Sequence, residues 1–304
     1  MEWLTIILLV ISFFYYGNLQ LPHSAVLGEK IIVTSTIPVL HALPLGPTKV
    51  SSDTPTIAAT NFLAIDLASD FQLAGNNANQ VRSIASISKL LTALVFLDHN
   101  PGWDKKYTLT KADERAGQKP DLFNGDQLTV KDLFFAMLVG SDNNATVALA
   151  HATGLSDAQF AQTMNDKAKV IGMTQANFVE PTGLDARNQA SARDVYHLAQ
   201  TALSFPIISN ATRQPDYVLT TTAGKEITIK STDHFTGVFG LDKAIKLLGG
   251  KTGSLDEAGY CFVGWFSCHG HAIMTVVLGT DSNDARFVQT QKLLAWINHS
   301  YKWN

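Results

Sequence analysis

The hydrophobic positions of this chain change their spacing twice between its ends. Asn61-Phe62-Leu63-Ala64-Ile65-Asp66-Leu67 and Phe71-Gln72-Leu73-Ala74 are short apolar segments on either side of Ser69-Asp70, the pattern of two strands joined by a hairpin turn. A helical reading takes over at Ser86, and its apolar run ends near His99-Asn100-Pro101-Gly102, where proline and glycine stop a helix. From Lys105 to Gln127 the chain is polar, with one short strand at Tyr107-Thr108-Leu109. Thr129-x-x-Asp132 is a near capping box for a helix over Val130–Val139, which Gly140 ends. Asn144–Ala152 reads as the next helix. Ser156-x-x-Gln159 opens a third, carrying Phe160, Met164, Ala168 and Ile171, and Ser191-x-x-Asp194 opens a fourth, carrying Val195, Leu198, Ala199 and Ala202.

Strand spacing returns in the last third. Val218–Thr221 and Glu226–Ile229 flank Ala223-Gly224 as a second hairpin. Gly259–Cys268 and His271–Gly279 are apolar on both faces, which predicts the middle of a covered sheet. A closing helix begins near Asp284, with the stripe Phe287, Thr290, Leu294, Ile297 and Tyr301. Strands at both ends and helices between them predict an α+β fold: an antiparallel sheet flanked by helices, with an inserted all-helical lobe. The cleft between sheet and lobe is the natural place for a site.

Composition adds a boundary at the start of the chain. Trp3–Tyr16 is an uncharged run of 14 residues that only Thr5 and Ser12 interrupt, so residues 1–21 are read as a membrane anchor or signal segment. No Lys or Arg precedes it and Lys30 is the first cation, so charge bias does not support a cytoplasmic N-terminus. Residues 22–56, with Pro22, Pro38, Pro44, Pro47 and Pro55, are read as a tether, and 57–304 as the folded domain that carries the motifs below. A hydrophobic content of 46% and a charged content of 16% are those of a globular protein. The formal net charge of −3, with no basic cluster, argues against nucleic acid as a partner. The two cysteines, Cys261 and Cys268, are an odd number of residues apart in one expected strand, so they point to opposite faces and do not pair.

Three short motifs carry the chemistry. Ser86-Ile87-Ser88-Lys89 sets a hydroxyl and an ammonium one helical turn apart on the same face. Ser141-Asp142-Asn143 falls at the junction of two lobe helices, and Lys251-Thr252-Gly253 lies between Gly249-Gly250 and the strand Gly259–Cys268. This order of motifs is that of penicillin-binding proteins and class A β-lactamases. Acyl transfer needs an activated hydroxyl, a proton carrier and donors for the oxyanion. Ser86 is the expected nucleophile. Lys89 is its expected base, provided its pKa falls by about 3 units, a cost of about 4 kcal/mol that burial and the second cation Lys251 are expected to supply. Ser141 would pass the proton to the leaving amine, and Asn143 would orient Lys89 and grip a substrate amide. Lys251 and Thr252 suit a terminal carboxylate, Gly253 admits a close backbone, and the N–H groups of Ser86 and Ser254 are the expected oxyanion donors.

With these motifs in place the chain resembles the low-molecular-weight penicillin-binding proteins, the serine D-alanyl-D-alanine carboxypeptidases and related endopeptidases, over roughly residues 57 to 300. Gly125-Asp126-x-Leu128-Thr129-Val130-x-Asp132-Leu133, Phe178-Val179-x-Pro181-Thr182-Gly183-Leu184-Asp185, Ala192-Arg193-Asp194, Ala258-Gly259-Tyr260 and Ala285-Arg286-Phe287 extend the resemblance. It implies a β-lactamase/transpeptidase-like fold and acylation of Ser86 by the D-Ala-D-Ala end of a peptidoglycan stem peptide, followed by hydrolysis. It further implies β-lactam inhibition, an extracytoplasmic site tethered to the membrane by the N-terminal segment, and an Arg286 that helps bind the substrate carboxylate. Carboxypeptidase activity is the expected reaction. A D-Ala-linked endopeptidase, a class A-like β-lactamase and a non-catalytic peptidoglycan-binding module are the alternatives.

The chain departs from the family pattern in two places. Asp142 stands where many relatives have a small residue, and Glu180 stands where asparagine usually precedes Pro-Thr-Gly-Leu. A glutamate there could activate a deacylating water, as in class A β-lactamases. Leu184, however, occupies the position of the asparagine those enzymes carry. No cofactor or metal is expected, because Cys268-His269-Gly270-His271 sits where two strands turn and lacks a fourth ligand. His151 and His197 are read as satisfied helix residues, and Asp113-Glu114-Arg115 as a solvated face.

Overall fold

The computed structural model describes residues 45–115, 120–237 and 240–303. In chain order the elements used below are β1 (Thr48–Lys49), β2 (Asn61–Asp66), β3 (Phe71–Asn76), a 3-10 turn (Ala85–Ser88), α1 (Lys89–Asp98), α2 (Val130–Val139), α3 (Asn143–Ala152), α4 (Asp157–Val170), α5 (Ala192–Ser204), α6 (Pro206–Thr212), β4 (Asp216–Thr220), β5 (Glu226–Lys230), β6 (Ile245–Leu255), β7 (Gly259–Cys268), β8 (His271–Thr280), α7 (Asn283–Ser300) and β9 (Tyr301–Lys302).

Five strands form one antiparallel sheet in the order β6-β7-β8-β2-β3. Side chains alternate across it. Leu63, Ile65, Cys261, Val263, Met274, Val276 and Leu278 enter a core shared with the helical lobe and α5. Phe62, Ala64, Phe262, Phe266, Ile273 and Val277 enter a second core on the opposite face, closed by Phe287, Leu294 and Ile297 of α7. The sheet is therefore covered on both sides, as the two apolar runs predicted. Cys261 and Cys268 fall into different cores, both buried and both free.

The lobe lies between β3 and β4 in sequence. Its helices begin where the sequence supplies side-chain caps: Thr129 with Asp132, Ser156 with Gln159 and Ser191 with Asp194 each form a reciprocal capping box. α1 is apolar nearly all round, from Leu90 through Phe96, and is buried accordingly. The β7–β8 connection is His269-Gly270, both residues with positive φ, as a tight two-residue hairpin requires.

Four expectations need correction. Lys251-Thr252-Gly253 is not a connection ahead of a strand. It lies inside the 11-residue strand β6, which the sequence reading missed because Gly249, Gly250 and Gly253 look like turn residues. α6 was also missed, being only seven residues long with proline at its first turn. Ordered structure starts before Ile57, since β1 pairs with β9 across Thr48↔Lys302 and Lys49↔Tyr301. Asp113 is not part of a solvated face; it is fully buried, accepting from Thr110 N at 2.7 Å and contacting His151 Nδ1 at 2.6 Å. The expected anchor, and most of the expected tether, lie outside the described residues. Among the described residues no helix is long and apolar enough to cross a membrane.

Candidate active site

The 3-10 turn ahead of α1 holds Ser86 between two glycines. Ala85 has φ +47°, a left-handed conformation that costs a non-glycine residue about 1–2 kcal/mol. It turns the chain so that Ser86 is half-exposed while Lys89, the first residue of α1, is fully buried. A Cβ on Gly253 of β6 would lie 2.6 Å from the Ile84 carbonyl oxygen. A Cβ on Gly183 would lie 2.0 Å from the Ala85 carbonyl oxygen. Both neighbours must be glycine for the turn to be gripped this closely.

Lys89 Nζ reaches three oxygens: Ser86 Oγ at 2.8 Å, Asn143 Oδ1 at 2.7 Å and the Thr182 carbonyl at 2.7 Å. Burial lowers its pKa from 10.5 to about 7, against the opposing pull of the Glu180 and Asp142 carboxylates. The sequence reading gave burial and Lys251 a share each in this shift, and burial is the largest cause. An amine at this distance can accept the Ser86 proton, the hydroxyl then being the donor.

The second wall is the junction of α2 and α3. Ser141 has φ +59°, and its Oγ is buried at the cleft with no hydrogen-bond partner among the described residues. Asp142 caps α3 by accepting from Ala145 N at 2.8 Å, and its other oxygen takes Asp121 N at 2.8 Å. The unusual middle residue of this motif therefore serves the lobe's own structure. Asn143, at the first position of α3, is thereby aimed at Lys89.

The third wall is β6 with the first turn of α7. Lys251 is buried, and burial together with the charges of Lys89 and Arg286 pushes its pKa well down. Thr252 Oγ1 lies 2.6 Å from Thr232 Oγ1. Arg286 donates from Nη1 to the Gly253 carbonyl at 3.1 Å and from Nη2 to Asn283 Oδ1, with its guanidinium over the Phe287 and Tyr260 rings. Burial lowers it to about 10. A cleft of about 500 Å³ joins the walls, lined by Ser86, Ser141, Thr252, Gly253, Ser254 and Arg286 among others. Lys89, Asn143 and Lys251 stand behind that surface. The structure thus brings all nine candidate residues to one place.

Sequence reasoning missed one contributor, and it gave another, Glu180, a role the geometry does not favour. Asp233 is buried beside this wall and acts on both Lys251 and Arg286; burial raises its own carboxyl to about 7. Glu180 has both oxygens engaged by its own loop, so it is poorly placed to activate a water. Oε2 accepts from Thr182 N at 2.7 Å and Oγ1 at 2.6 Å, and Oε1 accepts from Gly183 N at 2.6 Å. A carboxylate two residues before a Thr-Gly turn is a recognisable local signal for such a clasp.

The sequence model of the S11 peptidase family, described as D-alanyl-D-alanine carboxypeptidase, matches residues 48–282. A D-alanyl-D-alanine endopeptidase of Escherichia coli (strain K12) is 29% identical over 272 residues, 86% of each chain. A D-alanyl-D-alanine carboxypeptidase of Streptomyces sp. (strain K15) is 29% identical over 277 residues, 86% of this chain and 95% of the relative. Among solved structures, the Streptomyces K15 DD-transpeptidase superposes with a TM-score of 0.73 at 26% identity, over 81% of this chain and 99% of that one. Penicillin-binding protein D2 of Listeria monocytogenes, in its cefotaxime-bound form, gives a TM-score of 0.69 at 30% identity over the same shares.

Proposed function

From a chain that belongs to the S11 family of serine-type DD-peptidases, we propose a D-alanyl-D-alanine endopeptidase that opens D-Ala-linked cross-links between peptidoglycan stem peptides. The observation that carries a serine acyl-transfer reading is the fully buried Lys89 amine 2.8 Å from the half-exposed Ser86 hydroxyl. Endopeptidase activity is put first because the relative in Escherichia coli carries that name, as do relatives in Pseudomonas aeruginosa and Haemophilus influenzae. Carboxypeptidase activity, the first expectation from sequence, is the second reading. It is favoured by the Streptomyces relative and by Thr252 and Arg286, which suit a terminal carboxylate.

In this mechanism Ser86 Oγ attacks the D-Ala carbonyl carbon while its proton passes to the neutral Lys89. N–H groups of Ser86 and Ser254 stabilise the oxyanion. The C–N bond breaks as the leaving amine takes a proton through Ser141, leaving an ester on Ser86. Water, with Lys89 again as base, releases the acid and restores the hydroxyl. Asn143 orients Lys89 and the substrate amide. Lys251, Thr252, Gly253 and Arg286 hold the end of the substrate beyond the scissile bond. A β-lactam would acylate the same serine. The β-lactamase alternative loses weight because Glu180 is committed to its loop.

The test is covalent labelling of the purified full chain with a fluorescent penicillin, followed over time. A lasting label that disappears in Ser86→Ala supports the acyl-enzyme; rapid loss with penicillin hydrolysis indicates a β-lactamase, and no label refutes both. Parallel digestion of a pentapeptide and a cross-linked dimer then separates the two peptidase readings. The same proposal sets the enzyme outside the cytoplasm, tethered through residues 1–21. Recovery of the full chain in the soluble cytoplasmic fraction of its cell would refute that location.

A further inference from the structure

Glu180 opens the loop that carries Pro181-Thr182-Gly183, and its carboxylate is folded back onto that loop. Besides the Thr182 and Gly183 contacts, Oε1 accepts from Asn188 Nδ2 at 3.0 Å and from Asp185 N at 3.4 Å. Two of the peptide units held in this way face the start of α1. The Thr182 carbonyl accepts from Lys89 Nζ at 2.7 Å. Gly183 packs so closely on the Ala85–Ser86 peptide that an added Cβ would lie 2.8 Å from Ser86 N. One carboxylate thus fixes an acceptor for the base and the surface behind the nucleophile's own backbone. The half-buried loop brings its negative charge close enough to act on Lys89 directly.

We propose that Glu180 is a positioning residue of this site: it aims the Thr182 carbonyl at Lys89, places its own charge beside the amine, and so controls how much of Lys89 is present as free base. This rests on the serine acyl-transfer reading above. The charged groups facing Lys89 are Glu180 on the loop, Asp142 ahead of α3 and Lys251 on β6. Burial drives Lys89 toward the neutral amine, and the two carboxylates limit that drive. With about equal amounts of amine and ammonium near pH 7, a change in either carboxylate is read directly in the rate of acylation.

The experiment measures the rate constant of labelling by fluorescent penicillin between pH 5 and 9 for the full chain and for Glu180→Gln, Glu180→Asn and Glu180→Asp. Rate constants report only folded molecules, so partial unfolding does not distort the profile. Glu180→Gln and Glu180→Asn remove the charge, and the acidic limb is expected to move to lower pH by about half a unit or more. Glu180→Asp keeps the charge but shortens the reach, so its limb stays in place while its plateau falls. A purely structural clasp would lower every plateau and move no limb, and that result overturns the proposal. So does failure of both neutral variants to fold while Glu180→Asp folds, because the carboxylate is then a requirement of the fold. An unlabelled wild-type chain would instead refute the acyl-transfer reading, which keeps the two failures distinct.

Discussion

Replacing Gly183 by alanine adds one methyl group where the 180–185 loop meets the nucleophile. Gly183 has φ +83°, and alanine in that region costs about 1–2 kcal/mol before any contact is counted. The new Cβ would lie 2.0 Å from the Ala85 carbonyl oxygen, 2.3 Å from its carbon and 2.8 Å from Ser86 N. Ordinary contact begins at 3.4 Å, so 3.4 − 2.0 = 1.4 Å of separation has to open. All three atoms are backbone, and no side-chain rotation relieves the clash. If the loop retreats, the Thr182 carbonyl leaves Lys89; if the Ala85–Ser86 peptide moves, Ser86 Oγ leaves its place 2.8 Å from Lys89 Nζ. A displacement of about 1 Å in a catalytic constellation costs roughly 100-fold in rate. Labelling by fluorescent penicillin is therefore expected to slow by about 100-fold. Melting should fall by roughly 2–8 °C, from the backbone strain alone at the scale of a chain this size. Labelling within about threefold of wild type, with unchanged melting, would show that this close approach does not exist and would refute the reasoning.

Lys89 also affects stability. Its folded pKa of about 7 lies below the ordinary 10.5 of a lysine, so between those values the unfolded chain holds more protons and stability rises with pH by about 1.4 kcal/mol per unit. Lys89→Met should abolish labelling and remove that slope from urea melts at pH 7 and 9; an unchanged slope would mean the lysine is not desolvated. His151 is raised first by its hydrogen bond to Asp113, so its contribution is complete below about pH 6.5 and fades as pH climbs through the raised value. His151→Ala should accordingly cost about 1–2 kcal/mol at pH 6 and less at pH 9, and an equal cost at both would remove the charged pair from the account. Arg286→Gln should reduce labelling efficiency about tenfold. The loss should appear in the penicillin concentration needed rather than in the limiting rate, and a loss confined to the limiting rate would contradict a binding role.

What could be read from the chain was what local interactions decide. Thr129, Ser156 and Ser191 cap helices within four residues of themselves, and the near-continuous apolar runs of β7 and β8 record a sheet covered on both faces. β6 was illegible for a reason that belongs to the site. Its glycines admit close neighbours: Gly253 lies against the Ile84 backbone, and Gly250 would set a Cβ 2.9 Å from the Phe262 ring and 3.0 Å from the Val263 carbonyl oxygen. Local propensity reads such residues as a turn, whereas the tertiary contact makes them strand. Asp113 was misread because its partner, His151, comes from a different helix. The nine candidate residues were legible as types in order. What the sequence could not contain was the depth at which Lys89 is buried, and that depth is what shifts its proton.

Lys89, Lys251 and Arg286 are all buried in the walls of one cleft, and the carboxylates that act on them are divided between two ends. Glu180 and Asp142 face the base, and Asp233 faces the other two cations. Burial alone would drive Lys89 further from its usual value, so the first pair keeps the base near neutrality, where it can both take and return a proton. At the other end Asp233 is itself pushed up to about 7 and compensates only in part. Burial and the neighbouring cations push Lys251 well below its ordinary value, while Arg286, lowered to about 10, stays charged at neutral pH. An anion arriving beside Thr252 and Arg286 would meet that guanidinium charge and favour the protonated form of Lys251, so binding of a carboxylate is expected to draw in a proton. On the proposed reading, the same exclusion of water that suits Lys89 to act as a base would strengthen the far end of the cleft as an anion site, so the two properties would share one physical cause.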